Sequence, residues 1–211
     1  MFVSTNRNFK QFIICCFLSL SFGLFAQVDS LQQAYIEKGI EQWQDGLMAL
    51  SNGEKYYGQI RFEIKSGTLS EHIEFRKNTN DFSQIFMAET CDAIQWGDFE
   101  LISLPKDFKK PLDKMFYLNM YLGSTIQVFF EPKFTKSSKP ESLRFLVYKE
   151  GIYTSVTKAK FKRTLYNLFG DSALWRDKTN DKDWFKFSNM YEVAKFYDSN
   201  IVFVNTRFED E

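Results

Sequence analysis

His72 is the single histidine of this 211-residue chain, and Cys91 is one of three cysteines. Nucleophilic and metal chemistry near neutral pH draws first on these residue types. A Ser-His-Asp or Cys-His site would have to recruit His72, and no Gly-x-Ser-x-Gly elbow accompanies any serine. Zinc asks for about four N, S or O ligands, or about three at a catalytic centre. One histidine and the one cysteine outside the apolar N-terminal run leave carboxylates to supply the rest, so no dedicated zinc site is expected. The run "DKTNDKD", residues 177–183, offers Asp177, Asn180, Asp181 and Asp183 as oxygen ligands of the kind calcium takes. An EF-hand needs Gly at position 6 and Glu at position 12; counted from Asp177 those places hold Lys182 and Ser188, so a solvated loop is expected. Neither a P-loop nor a dinucleotide fingerprint occurs. Two acids suffice for glycoside hydrolysis, but sequence alone pairs none of the 27 acidic residues. No catalytic, metal or cofactor residue is assigned. Trp96, Tyr117, Tyr121 and Trp184 are the rings that could stack on a sugar or peptide; core packing is the competing reading for each.

The compartment decides which of this chemistry is available. Arg7 and Lys10 precede an apolar run from Phe12 to Phe25, with no acidic residue in positions 1–26. The run holds 14 residues, whereas a membrane-spanning helix needs about 20. Ala26 follows, then polar sequence. A basic n-region, a short h-region and a small residue make a secretory signal peptide, cut before Gln27. Cys15 and Cys16 lie too early in the run, behind Phe12, Ile13 and Ile14, for a lipoprotein. An uncleaved N-terminal anchor is the competing reading.

Removal of residues 1–26 leaves 185, enough for one ordinary domain. The remaining chain keeps Cys91 alone and can form no internal disulfide, so a hydrophobic core must hold it. That points to the periplasm or cell surface of a Gram-negative bacterium, where disulfides are optional. Loss of Arg7 and Lys10 leaves 25 basic against 27 acidic residues, a net charge of −2. Such a balance gives no global field for nucleic acid, and no nucleic-acid partner is expected. The 24 Phe and 10 Tyr supply core area; with frequent Lys and Asn, they also suit an A+T-rich genome.

The elements that would position any site follow from periodicity. Leu31, Tyr35, Ile36, Ile40 and Trp43 sit near helical spacing, predicting a short helix within 27–44. Asn52-Gly53 predicts a two-residue hairpin turn joining Leu47–Leu50 to a strand over Lys55–Lys65. In that strand Ile60, Phe62 and Ile64 alternate with Gln59, Arg61, Glu63 and Lys65, one face dry and one wet. His72–Arg76, Ser83–Met87, Ala93–Trp96 and Phe99–Leu104 continue an antiparallel meander, with His72 on the wet face. Beyond a polar connection at 106–111, hairpins join Met115–Leu122 to Thr125–Glu131 and Leu143–Tyr148 to Ile152–Val156. The period then changes. Phe161, Leu165, Leu168 and Phe169 mark a helix ending at Gly170, with "KAKFKR" (158–163) as its solvated face. A last helix carries Met190, Val193, Phe196 and Tyr197 inward, and the tail Ile201–Phe208 alternates as a strand would.

The stretch "DGLMALSNGEKYYGQI" resembles the opening of a group of small, uncharacterised secreted proteins common in Bacteroidetes. "FKRTLYNLFGDSALWRDK" and "FSNMYEVAKFYDSN" resemble that group's later helix, short turn and closing helix, and the signal ending "LFAQ" fits as well. Here Tyr197-Asp198 stands where the group has Tyr-Asn. The resemblance implies a secreted protein and carries over no activity.

The expected fold is α+β: after the signal peptide (1–26) and the short helix (27–44), a single domain over 45–211. Its antiparallel β-rich body, of hairpins and meander over 45–156, packs against C-terminal helices over 157–200. The expected function is an exported, non-catalytic envelope protein that binds a protein or an envelope component such as a glycan, with no transmembrane anchor after cleavage. The alternatives are a carboxylate-dependent hydrolase of envelope polymers and a carrier with an aromatic-lined cavity. Edge strands of the sheet are where a partner strand could add.

Overall fold

A computed structural model describes residues 41–65, 68–133, 143–170, 175, 178, 181 and 184–208. The expected signal peptide, the first part of the expected N-terminal helix and most of the "DKTNDKD" loop lie outside these residues. Glu41 and Gln42 form a turn rather than the end of a helix, and Gln44 opens the first strand. Trp43 lies beneath two guanidinium groups, with Arg76 4.2 Å and Arg61 5.0 Å from its ring centre.

Ten strands form one sheet. They are β1 (Gln44–Leu50), β2 (Lys55–Lys65), β3 (Thr68–Arg76), β4 (Gln84–Met87), β5 (Cys91–Trp96), β6 (Phe99–Pro105), β7 (Lys114–Leu122), β8 (Ile126–Phe130), β9 (Arg144–Lys149) and β10 (Ile152–Thr157). Every pairing is antiparallel. Two helices follow, α1 (Phe161–Phe169) and α2 (Met190–Phe208). The architecture is therefore α+β, an antiparallel β-rich body with C-terminal helices.

The first meander is broken. The strand order is β10-β9-β8-β7-β6-β5-β1-β2-β3-β4, so β5 pairs with β1 and not with β4. In a flat sheet four strand spacings of about 4.8 Å, roughly 19 Å, would separate β4 from β5. Only Ala88–Thr90, a single 3-10 turn, joins them. Four extended residue steps reach about 14 Å at most. The sheet must therefore curl, and it does. β3 packs against β7, Thr68 bridges to Lys133 beyond the end of β8, and the Ser103 hydroxyl donates to the Ala88 carbonyl.

The curl encloses the main core. Ile60, Phe62, Ile73 and Phe75 face inward, in the alternation expected for β2 and β3, and meet Ile94, Trp96, Phe116 and Leu118 from the other limb. α1 and α2 cover the inner face of β7–β10 with Phe161, Leu165, Phe169, Met190, Val193 and Tyr197. A second cluster lies on the opposite face of β6–β9, where Leu104, Met115, Tyr117, Phe129 and Leu146 are buried. Phe108, from the 106–113 connection, stacks on Tyr153 at 4.5 Å and covers part of it.

Two turns and one tail differ from expectation. Leu50 and Glu54 close a three-residue loop, the Leu50 amide donating to the Glu54 carbonyl at 2.9 Å, and within it Gly53 alone takes a positive φ, +87°. The two-residue turn with both φ positive occurs instead at Glu150-Gly151, with φ values of 52° and 84°, between the paired residues Lys149 and Ile152. Residues 201–208 continue α2 rather than forming a strand; β-branched residues there yield to a helix already nucleated and packed upstream. No helix among the described residues is long and apolar enough to cross a membrane.

Candidate functional site

β4 and β10 end the sheet, and they are finished differently. β10 runs through a 3-10 turn (Lys158–Lys160) into α1, which packs on it. Among the described residues β4 pairs with β3 alone and presents its other edge. It is four residues long, Gln84-Ile85-Phe86-Met87, with neither charge nor proline. Natural edge strands are commonly blunted by lysine, proline or a bulge, because the unpaired N–H and C=O groups template another strand. Ile85 is 66% exposed and Met87 41%, and Phe82, just before the strand, is 98% exposed. Phe86 faces inward onto Phe75, edge to face at 6.0 Å, and anchors the strand. Backbone edge and apolar outward side chains thus coincide, which is the surface that strand addition uses.

Polar groups converge at the seam where the sheet closes. Lys106 pairs with Glu71 of β3 and, at 2.7 Å, with Asp113 before β7. Carboxylate oxygens of Glu71, Glu89 and Asp113 lie within 4.8 Å of one another. Burial alone would lower the Lys106 pKa, but the hydrogen bonds and charges of Asp113 and Glu71 outweigh it and hold the ammonium above its usual value. A lysine already supplies the counter-charge, so the cluster reads as a latch between β3 and the 106–113 connection. Glu131, buried at the end of β8, makes a second ionic knot with Arg144, whose guanidinium also donates to the Tyr117 hydroxyl at 3.0 Å.

The residues that could do chemistry are separated and occupied. The Cys91 side chain is fully buried, and burial pushes its thiol up to about 11, far from a thiolate at neutral pH. His72 is half-buried, as far as its wet-face position allows, with Nε2 3.2 Å from the Glu63 carboxylate. Asp181 accepts a hydrogen bond from the Trp184 backbone amide at 3.1 Å, a turn role.

Of the four candidate stacking rings, Trp96 and Tyr117 are buried, and Tyr121 and Trp184 are half-buried among other rings. Trp96 lies against Phe99 and Phe62 inside the main core, and Tyr117 is closed to solvent in the second cluster. Neither has a ring face to offer. Trp184 packs on Trp175, Phe185 and Phe196. Tyr121 meets Tyr191 edge to face and donates its hydroxyl to Asp198. The ring most open to solvent in the strands is Tyr57, 71% exposed, beside a broad depression with Asp45, Leu47 and Gln95. Its signal was present in the alternation of β2, where position 57 shares the wet parity of Gln59, Arg61 and Glu63.

Among the described residues, the fold and site define a curled antiparallel sheet backed by two helices, with the outer edge of β4 left unpaired. Comparison with family models, curated proteins and solved structures finds no match.

Proposed function

We propose that the protein is an exported, non-catalytic component of a Gram-negative cell envelope that holds an extended segment of a partner protein along the free edge of β4. Residues 1–26 act as the export signal in this reading, and the likeness to small secreted Bacteroidetes proteins belongs to it. The observation that carries it is β4 itself, an edge strand without charge or proline whose outward side chains, Ile85 and Met87, are apolar and exposed. The burial of Cys91 fits it, since a buried, protonated thiol is shielded from oxidation.

Two measurements test the reading separately. The intact mass of the protein from fractionated native cells reads export: a chain starting at Gln27 in the envelope fraction is expected, and a full-length chain in the cytosol contradicts it. Immobilised protein incubated with envelope extract reads partner binding: a defined partner is retained by the wild type and lost in Ile85→Lys. Equal retention by both overturns the assignment to β4.

A further inference from the structure

We propose that the cleft between α1 and β10 is a binding site for a phosphate-bearing small molecule or head group. The cleft has a volume of about 330 Å³ and is lined by Thr154, Lys160, Arg163, Thr164, Asn167 and Leu168, a size at the lower end of small-ligand sites. The proposal goes beyond the strand-binding reading and stands without it.

The sequence places these groups together. Positions 163, 164, 167 and 168 fall on one stripe of α1, and Lys160, the last residue of the 3-10 turn before it, continues that spacing, while Phe161, Leu165 and Phe169 form the buried stripe. Thr154 faces the helix from β10, on the same side as buried Val156. Lys149 donates to the Leu168 carbonyl at 2.7 Å and fixes the end of the helix at one wall of the cleft.

The lining is one-sided chemically. Lysine and arginine offer only donors, threonine and asparagine add hydroxyl and amide donors, and no carboxylate lines the cleft. Three cations elsewhere on the sheet are neutralised by carboxylates: Arg61 pairs with Glu74, Arg144 with Glu131, and Lys106 with Glu71 and Asp113. Among the described residues, Lys160 and Arg163 make no ion pair and the side chains of Thr164 and Asn167 no hydrogen bond. The first turn of α1 contains no acidic residue to offset these cations. A guanidinium fork and an ammonium three residues apart match the oxygens of a phosphate. Leu168 supplies an apolar wall for the carbon skeleton that carries it. "KAKFKR" is thus more than a solvated face: two of its four cations, Lys160 and Arg163, line this cleft.

Calorimetric titration of the protein with glycerol 3-phosphate, with glycerol as the uncharged control, tests the soluble source. Flotation with phosphatidylcholine vesicles, with and without phosphatidylglycerol, tests the membrane source. Saturable binding of glycerol 3-phosphate, or of the phosphatidylglycerol vesicles alone, is expected. It should weaken about tenfold or more in both Arg163→Gln and Lys160→Gln, as loss of a charge-assisted contact requires. Thermal unfolding should be unchanged, because both side chains are exposed. Lys110→Gln, away from the cleft, should bind as the wild type does. No saturable binding in either arm, equal binding of glycerol, or equal weakening by Lys110→Gln overturns the proposal.

Discussion

The carboxylate of Asp198 accepts a hydrogen bond from the backbone amide of Thr125 at 2.7 Å, across 73 residues of sequence. The same carboxylate takes the Ser124 amide at 3.1 Å, the Tyr121 hydroxyl at 3.0 Å and the Thr125 hydroxyl. It pins the β7–β8 turn to α2. Gly123 makes room for it, since a Cβ there would sit against the carboxylate closer than real side-chain carbons approach. A four-donor pocket suits a carboxylate, which only accepts.

Asp198→Asn should therefore lower stability by about 1–3 kcal/mol, because an NH2 group would face N–H and O–H donors. Urea unfolding reads this. The pH dependence has a definite sign. Burial would raise the Asp198 pKa, but the hydrogen bonds from Thr125, Ser124 and Tyr121 overcome it and leave it below the ordinary 3.8. A carboxyl depressed on folding contributes stability that is fully present above its unfolded value and lost as pH falls through the folded one. The gap between wild type and Asp198→Asn should narrow in acid below about pH 4 and stay constant above about pH 5.

Arg144→Met should cost about 3–5 kcal/mol, because it strips the main partner from the buried Glu131 carboxylate and leaves Lys133 at 3.5 Å. The double variant Glu131→Gln/Arg144→Met should be more stable than Arg144→Met alone. A denaturant series on the three proteins checks the order.

Glu150 holds a left-handed φ of 52° in the β9–β10 turn, where L side chains other than Asn and Asp are strained. Glu150→Gly should stabilise the protein by some tenths to about 1 kcal/mol, since the strain relieved exceeds the entropy glycine adds. The 3.8 Å contact with Lys149 is exposed on the Glu150 side and contributes little against this. Thermal melts at fixed pH measure it.

Cys91 should resist thiol reagents at pH 8 until the fold opens. Its side chain is fully buried and its thiol pKa is about 11. The labelling rate should rise with urea in step with global unfolding; rapid labelling of folded protein would contradict the burial.

Much of the fold is legible in the chain. Alternation at Ile60/Phe62/Ile64 and Ile73/Phe75, and turns at 78–81, 123–124 and 149–151, mark all ten strands close to their places. Long-range arrangement is not legible, because no local signal says that β5 joins β1. The shortness of Ala88–Thr90 demands the curl only once the strand order is known. The type of the Asn52-Gly53 turn is not legible because a pair suited to positive φ also suits a type I turn with a single left-handed glycine. At the site, the outward parity of Ile85 and Met87 was readable in Ser83–Met87, whereas the edge position of β4 was not. Lys106, Glu71, Glu89 and Asp113 come together from three separate segments, and composition alone could not pair them.

Site-specific photocrosslinking in native cells tests the partner edge most directly. A crosslinker placed at position 85 should give one discrete protein adduct in the envelope fraction, abolished by adding Met87→Lys, while the same group at exposed Leu112 gives none. An empty lane at 85, or the same adduct from 112, would contradict strand capture by β4.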